Sequence, residues 1–174
     1  MTIFKFVTFK VEDGQQTIDS VKYVLQLGYC HIDTAAVYGN EEGVGRAIKE
    51  SDIPREEIFL TTKVWNSDQG YDSTLAAFEM SLQKLQTDYV DLYLIHWPKE
   101  LNKETWRAME KLYKEGRIRA IGVSNFKEHH LDKLLSIAEV IPVVNQVEYH
   151  PRMMQTSLSK YCQKHNIHLE AWGP

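Results

Sequence analysis

One rhythm constrains this chain more than any other feature. Short apolar runs alternate with amphipathic stretches, and each apolar run ends on a polar or aromatic side chain. His31-Ile32-Asp33-Thr34-Ala35 is followed by Leu60-Thr61-Thr62-Lys63, then by Leu92-Tyr93-Leu94-Ile95-His96 and Ile121-Gly122-Val123-Ser124-Asn125. Val143-Val144-Asn145-Gln146 and Leu169-Glu170-Ala171-Trp172 complete the series. The pattern predicts strands over 3–9, 29–33, 58–63, 90–95, 118–123, 143–147 and 168–172. Helices are expected over 15–27, 40–49, 72–85, 103–114, 128–138 and 154–165. Leu75, Phe78, Leu82 and Leu85, for example, share one helix face. Asn40 ahead of Glu41-Glu42 reads as a helix N-cap, and Gly28 and Gly116 as helix stops.

Strands alternating with helices imply right-handed βαβ units and a parallel sheet, and the near-continuous apolarity of the strands implies cover on both faces. A doubly wound sheet would place a glycine-rich turn after its first strand, but Thr8-Phe9-Lys10-Val11-Glu12-Asp13-Gly14 has none. A (β/α)8 TIM-type barrel puts function at the carboxyl end of almost every strand, which is the pattern here. Such a barrel needs eight strands and about 250 residues. Seven strands and six helices can be counted in these 174 residues, so the expectation is a single but incomplete barrel domain. Its two open edges would favour self-association.

Composition narrows the partners. A 43% apolar and 25% charged chain is ordinary for a soluble globular protein, and a net charge of −4 disfavours nucleic acid. No apolar run reaches the ~20 residues of a membrane span, and the N-terminus lacks a secretory signal pattern. Cys30 and Cys162 stand apart, as reduced structural cysteines do, which suits the cytoplasm. The histidines show no metal-ligand spacing, so no metal is expected. Gly43-Val44-Gly45 sits inside a helical pattern and reads as helix packing, not a phosphate loop.

Asp33, Tyr38, Lys63 and His96 carry the chemistry. A phenol titrates near pH ~10; a nearby ammonium from Lys63, held by Asp33, is expected to lower that value. His96, at the next strand end, is placed to donate to a substrate oxygen. The set suits protonation of a carbonyl oxygen as hydride reaches its carbon. Taken singly, each residue has a structural alternative: a turn aspartate, a solvated lysine, a core histidine, a packing tyrosine, core tryptophans. Gln146 is the least natural core residue, because an unpartnered buried amide costs about 1–3 kcal/mol.

His31-Ile32-Asp33-Thr34-Ala35-Ala36-Val37-Tyr38-Gly39-Asn40-Glu41 resembles the first signature of the aldo-keto reductases. So do Thr62-Lys63-Val64-Trp65, His96-Trp97-Pro98, Gly122-Val123-Ser124-Asn125-Phe126 and Asn145-Gln146-Val147-Glu148-Tyr149-His150-Pro151. The resemblance runs from about Gln15 to Pro174. It implies NADPH-dependent reduction of small aldehydes or ketones without a metal, with the nearest flavour among diketo-gulonate and methylglyoxal-type reductases. It further implies that Tyr38 is the general acid, tuned by Lys63 and Asp33, with His96 orienting the carbonyl. Thr8, Asp33, Ser124, Asn125, Gln146 and Trp172 then fall to the cofactor, with Trp172 beneath the nicotinamide ring. Trp65, His96 and Trp97 fall to the substrate.

Two departures accompany the resemblance. Where the family's first strand reads Gly-Phe-Gly-Thr-aromatic, this chain has Lys5 and Val7, so crowding by added side chains is expected there. The N-terminal hairpin and the segments after strand seven that hold the cofactor phosphates lie outside the sequence. The alternative reading is therefore a truncated, impaired relative that binds a partner, or a cofactor-sensing module without turnover.

Overall fold

The computed structural model describes residues 4–173. Its elements follow the expected alternation: β1 (Phe6–Val7), α1 (Gln15–Gln26), β2 (His31–Asp33), α2 (Glu41–Lys49), β3 (Phe59–Val64), α3 (Tyr71–Leu85) and β4 (Val90–Ile95). There follow α4 (Asn102–Lys114), β5 (Ile118–Ser124), α5 (Glu128–Leu135), β6 (Val144–Glu148), α6 (Thr156–Lys164) and β7 (His168–Trp172). All seven strands form one sheet in chain order, and every neighbouring pair is parallel. This is the strand–helix succession of the (β/α)8 barrel, with seven of its strands in the chain.

Boundaries moved where the backbone left the allowed path. Ile3, the expected first residue of β1, lies outside the described residues. The far end of β1 stops early because Val11 N–H donates back to the Thr8 carbonyl and Lys10 turns at φ 64. Helix α6 begins at Thr156, not Met154, because Gln155 takes a left-handed φ of 42. Asn40 stands at the N-cap position of α2, yet its side chain makes no capping bond. Its amide donates instead to the Thr8 and Val11 carbonyls and accepts from the Thr8 and Thr34 hydroxyls, lacing β1 to the loop after β2.

Period-two alternation sorts the strands into an outer and an inner face. Outward side chains such as Ile32, Leu60, Tyr93, Ile95, Ile121 and Val123 join Val21, Phe78, Trp106 and Leu131 from the helices in the main core. Inward ones, Leu92, Leu94 and Val144 with Phe59 and Ala120, form a smaller apolar plug inside the barrel. Above that plug the inward positions turn polar: Asp33, Lys63 and Gln146 are all buried. Helices α2 and α3 cross so closely that a Cβ on Gly45 would lie 2.5 Å from the Leu85 backbone carbon. The Gly43-Val44-Gly45 stretch is a packing surface, as its helical setting implied.

Candidate active site

Strands β2, β3 and β4 run parallel with Asp33 beside Thr61 and Lys63 beside Leu94, so their carboxyl ends open on one rim. Asp33 closes β2, Lys63 stands one residue from the end of β3, and His96 follows β4 directly. Tyr38 ends a single helical turn, Ala36–Tyr38, that brings the chain back over the mouth. Gly39 reverses the chain there at φ 71, a left-handed conformation that glycine adopts without steric cost.

Lys63 is fully buried and donates to Asp33 Oδ1 and to the Thr34 carbonyl, the latter at 2.9 Å. Its ammonium lies 5.1 Å from the centre of the Tyr38 ring. The Tyr38 ring meets His96 edge-on at 5.8 Å and Phe9 at 5.2 Å; Trp65 meets His96 edge-on at 5.1 Å. The structure thus brings Asp33, Tyr38, Lys63, Trp65 and His96 into one cluster. Trp97, 41% exposed, lies on its outer margin with its carbonyl accepting from Gln69 Nε2 at 2.7 Å.

Electrostatics of the cluster differ from the sequence expectation in one respect. Burial, and after it the charge of Asp33, pushes the Tyr38 phenol above the usual tyrosine range, where a lowering by Lys63 was expected. The physical reason is first the burial of the phenol; Lys63, bonded to Asp33 and the Thr34 carbonyl, makes no hydrogen bond to it among the described residues to offset that. Burial would push the Asp33 carboxyl up, but the ammonium groups of Lys63 and Lys5 outweigh it and hold the group at about 2. Burial draws Lys63 down, against the pull of Asp33.

His96 is held at about 4 by burial, helped by the Lys63 charge, so its ring is neutral at pH 7. Its Nδ1 is buried without a partner. A stranded N–H is rarer than an unfilled acceptor, so the single ring proton belongs on Nε2. A stability prediction follows. The unfolded imidazole takes up a proton near pH 6.5 and the folded one only near 4, so stability falls as pH drops through that window. From pH 6.5 to 5 the loss should be about 1.5 kcal/mol, read by chemical denaturation, and His96→Asn should flatten the slope. An unchanged slope in that variant would assign the acid sensitivity to another group.

Across the mouth on the same rim, Ser124 Oγ donates to the Gln146 carbonyl at 2.8 Å. Asn125, at a left-handed φ of 64, donates to the His96 carbonyl and to Ser124 Oγ and accepts from Trp172 Nε1 at 3.0 Å. Gln146 turns its Nε2 to Asp33 Oδ2 (2.7 Å) and to Glu170 Oε1 (2.6 Å), leaving its side-chain Oε1 without a partner among the described residues. Thr8 is wholly buried, its hydroxyl committed to Asn40 and the Asp33 carbonyl. Sequence reasoning passed over Glu170, although an acid inside a strand covered on both faces was the available signal. It also treated Lys5 only as bulk. Lys5 donates to Asp33 Oδ2 at 3.0 Å and pairs with Glu170. Among the described residues no group of three histidine, cysteine or acidic side chains is placed to hold a metal, and no helix is long and apolar enough to cross a membrane.

One rim of this parallel sheet thus gathers a tyrosine, a lysine, an aspartate and a histidine. The chain belongs to the aldo/keto reductase family, whose profile matches residues 8–174. It is 62% identical over 175 residues to the glyoxal reductase of Bacillus subtilis (strain 168), covering all of this chain and 63% of that protein. An aldo/keto reductase crystal structure from Brucella melitensis superposes with a TM-score of 0.97 at 52% identity, over all of this chain and 69% of that one. The Bombyx mori aldo-keto reductase in complex with NADP does so at 0.93 and 36% identity, over all of this chain and 63% of that one. The chain therefore spans less than two thirds of the curated reductase it matches.

Proposed function

We propose that the protein to which this chain belongs reduces small aldehydes or ketones to alcohols with NADPH, and that Tyr38 delivers the proton. The observation that carries the reading is the meeting of Asp33, Tyr38, Lys63 and His96 at the carboxyl ends of consecutive strands. The phenol of Tyr38 is in its acid form at neutral pH; its raised proton affinity in the free site opposes release of the proton, so delivery has to draw on the charge groups around it. The neutral His96 offers Nε2–H to the carbonyl oxygen, polarising it without competing for the proton. Lys63, 5.1 Å from the centre of the phenol ring, is a cation close to the charge that remains after transfer, although its bonds to Asp33 and Thr34 leave the resting phenol above the usual range.

The nicotinamide end of the cofactor fits the far side of the same rim. Gln146 keeps a free side-chain Oε1 for a carboxamide N–H, and the Trp172 indole, pinned through Nε1, supplies an aromatic face. Ser124 and Asn125 are fully engaged with neighbouring groups, so in this reading they hold the rim and Gln146 makes the amide contact. The cofactor supplies the hydride. The half-buried Trp65 and the more exposed Trp97 wall an apolar approach to Tyr38 and His96. Glyoxal is the named substrate of the Bacillus subtilis relative, and small dicarbonyls are the first substrates to test.

Titration of the intact protein with NADPH should quench tryptophan fluorescence saturably, and addition of glyoxal or methylglyoxal should consume the reduced cofactor. Absence of quenching at near-millimolar NADPH would instead favour a relative that has lost the reaction.

A further inference from the structure

Lys5 immediately precedes β1, and Glu170 sits midway along β7, so the two residues belong to opposite ends of the seven-stranded order. Their side chains nevertheless meet as an ion pair, with only 11% and 18% of their respective surfaces exposed. Lys5 also reaches Asp33 Oδ2 at 3.0 Å. Gln146 Nε2 donates to the same two oxygens, Asp33 Oδ2 and Glu170 Oε1. The contacts close a ring in which two donors, Lys5 and Gln146, alternate with two carboxylates, Asp33 and Glu170. Three strands and the residue leading into β1 are joined across the barrel by side chains alone.

The ring shares Asp33 with the reacting centre, since the other carboxylate oxygen takes the Lys63 ammonium. The charged and titratable groups around it are Asp33 and His31 from β2, Lys63 from β3, His96 after β4, Glu170 from β7, Lys5, and Tyr38 from the loop above. Two ammonium groups thus face two carboxylates, with neutral imidazoles nearby. Without Lys5, Asp33 and Glu170 would share the amide of Gln146 with one cation fewer. The phenol would then sit in a more negative field.

We propose that Lys5 is a positioning residue for the Tyr38 proton donor, closing the Lys5–Asp33–Gln146–Glu170 ring and balancing the charge that Asp33 presents to the phenol. The proposal rests on the reductase reading for its readout in turnover. It also fixes Gln146 with its amide nitrogen inward, which is what leaves the side-chain Oε1 free.

The test uses the intact protein and kcat for aldehyde reduction at saturating NADPH and a fixed neutral pH, because the half-buried phenol ionises too high for an alkaline limb to be read. Removing a positive charge makes the phenol a weaker proton donor, so Lys5→Gln lowers kcat several-fold. Glu170→Gln removes a negative charge and raises it. The double variant restores neutrality and returns kcat close to wild type. A merely structural role predicts no such opposition of sign. Values of kcat that stay put, or that move the same way in both single variants, overturn the proposal. Thermal melts supply a readout that needs no turnover: each single variant should lower Tm, and the double variant should lower it no further than the worse single one, because both changes break the same ring. If the wild type consumes no NADPH with any aldehyde, the reductase reading falls. The melts then decide the ring alone, additive or absent shifts rejecting it.

Discussion

Replacing Tyr38 by phenylalanine will cut aldehyde reduction by about 10²–10⁴-fold, the usual contribution of a positioned general acid, and leave NADPH binding near its wild-type strength. The separation of the two effects comes from the geometry. The phenol oxygen makes no hydrogen bond among the described residues, and its ring is held by packing against Phe9 and His96. Phenylalanine keeps that packing and the cation–π contact with Lys63, so nothing on the Gln146–Trp172 rim should move. Steady-state rates with fluorescence titration of NADPH check both halves. Rates that survive the substitution would show that another group, or water, delivers the proton.

Asp33→Asn should be the most destabilising single change at the site, costing about 3–5 kcal/mol, because it strands the fully buried Lys63 ammonium. Lys63→Met should cost clearly less, since Asp33 keeps Lys5 as a partner at 3.0 Å. That asymmetry is the specific prediction, and denaturant melts of the two variants measure it. Activity should fall in both, through loss of charge beneath the phenol in one and loss of the group that holds it in the other. Equal destabilisation would mean that Lys5 does not share the carboxylate in solution. Below neutral pH the Asp33 contribution persists, because a group lowered from 3.8 to about 2 loses its stabilisation only between those values.

Much of this was legible in the sequence, for identifiable reasons. The strand–helix alternation was readable because a parallel sheet covered on both faces needs nearly unbroken apolar runs, and β4, Val90–Ile95, was placed to the residue. Convergence of Asp33, Lys63 and His96 followed from their common position at strand ends, and that of Tyr38 from its place in the loop leaving β2. What escaped was long-range and polar. Lys5 and Glu170 lie 165 residues apart, and no local pattern announces that their charges meet. Asn40 looked like a cap from its neighbours, but its amide is used to fasten the chain around Thr8 and Val11. The direction of the Tyr38 shift was missed for the same reason. It depends first on how deeply the folded chain buries the phenol and then on the Asp33 charge beside it, and both are set by long-range packing.

Asn125 has a broader implication for altering this barrel. A single amide is wedged between the indole at the last strand and the main chain of His96, with all of its donors and its acceptor in use. Tilting the indole to admit a different ring would drag on the imidazole across the mouth, so redesign of either wall has to begin by treating both as one piece.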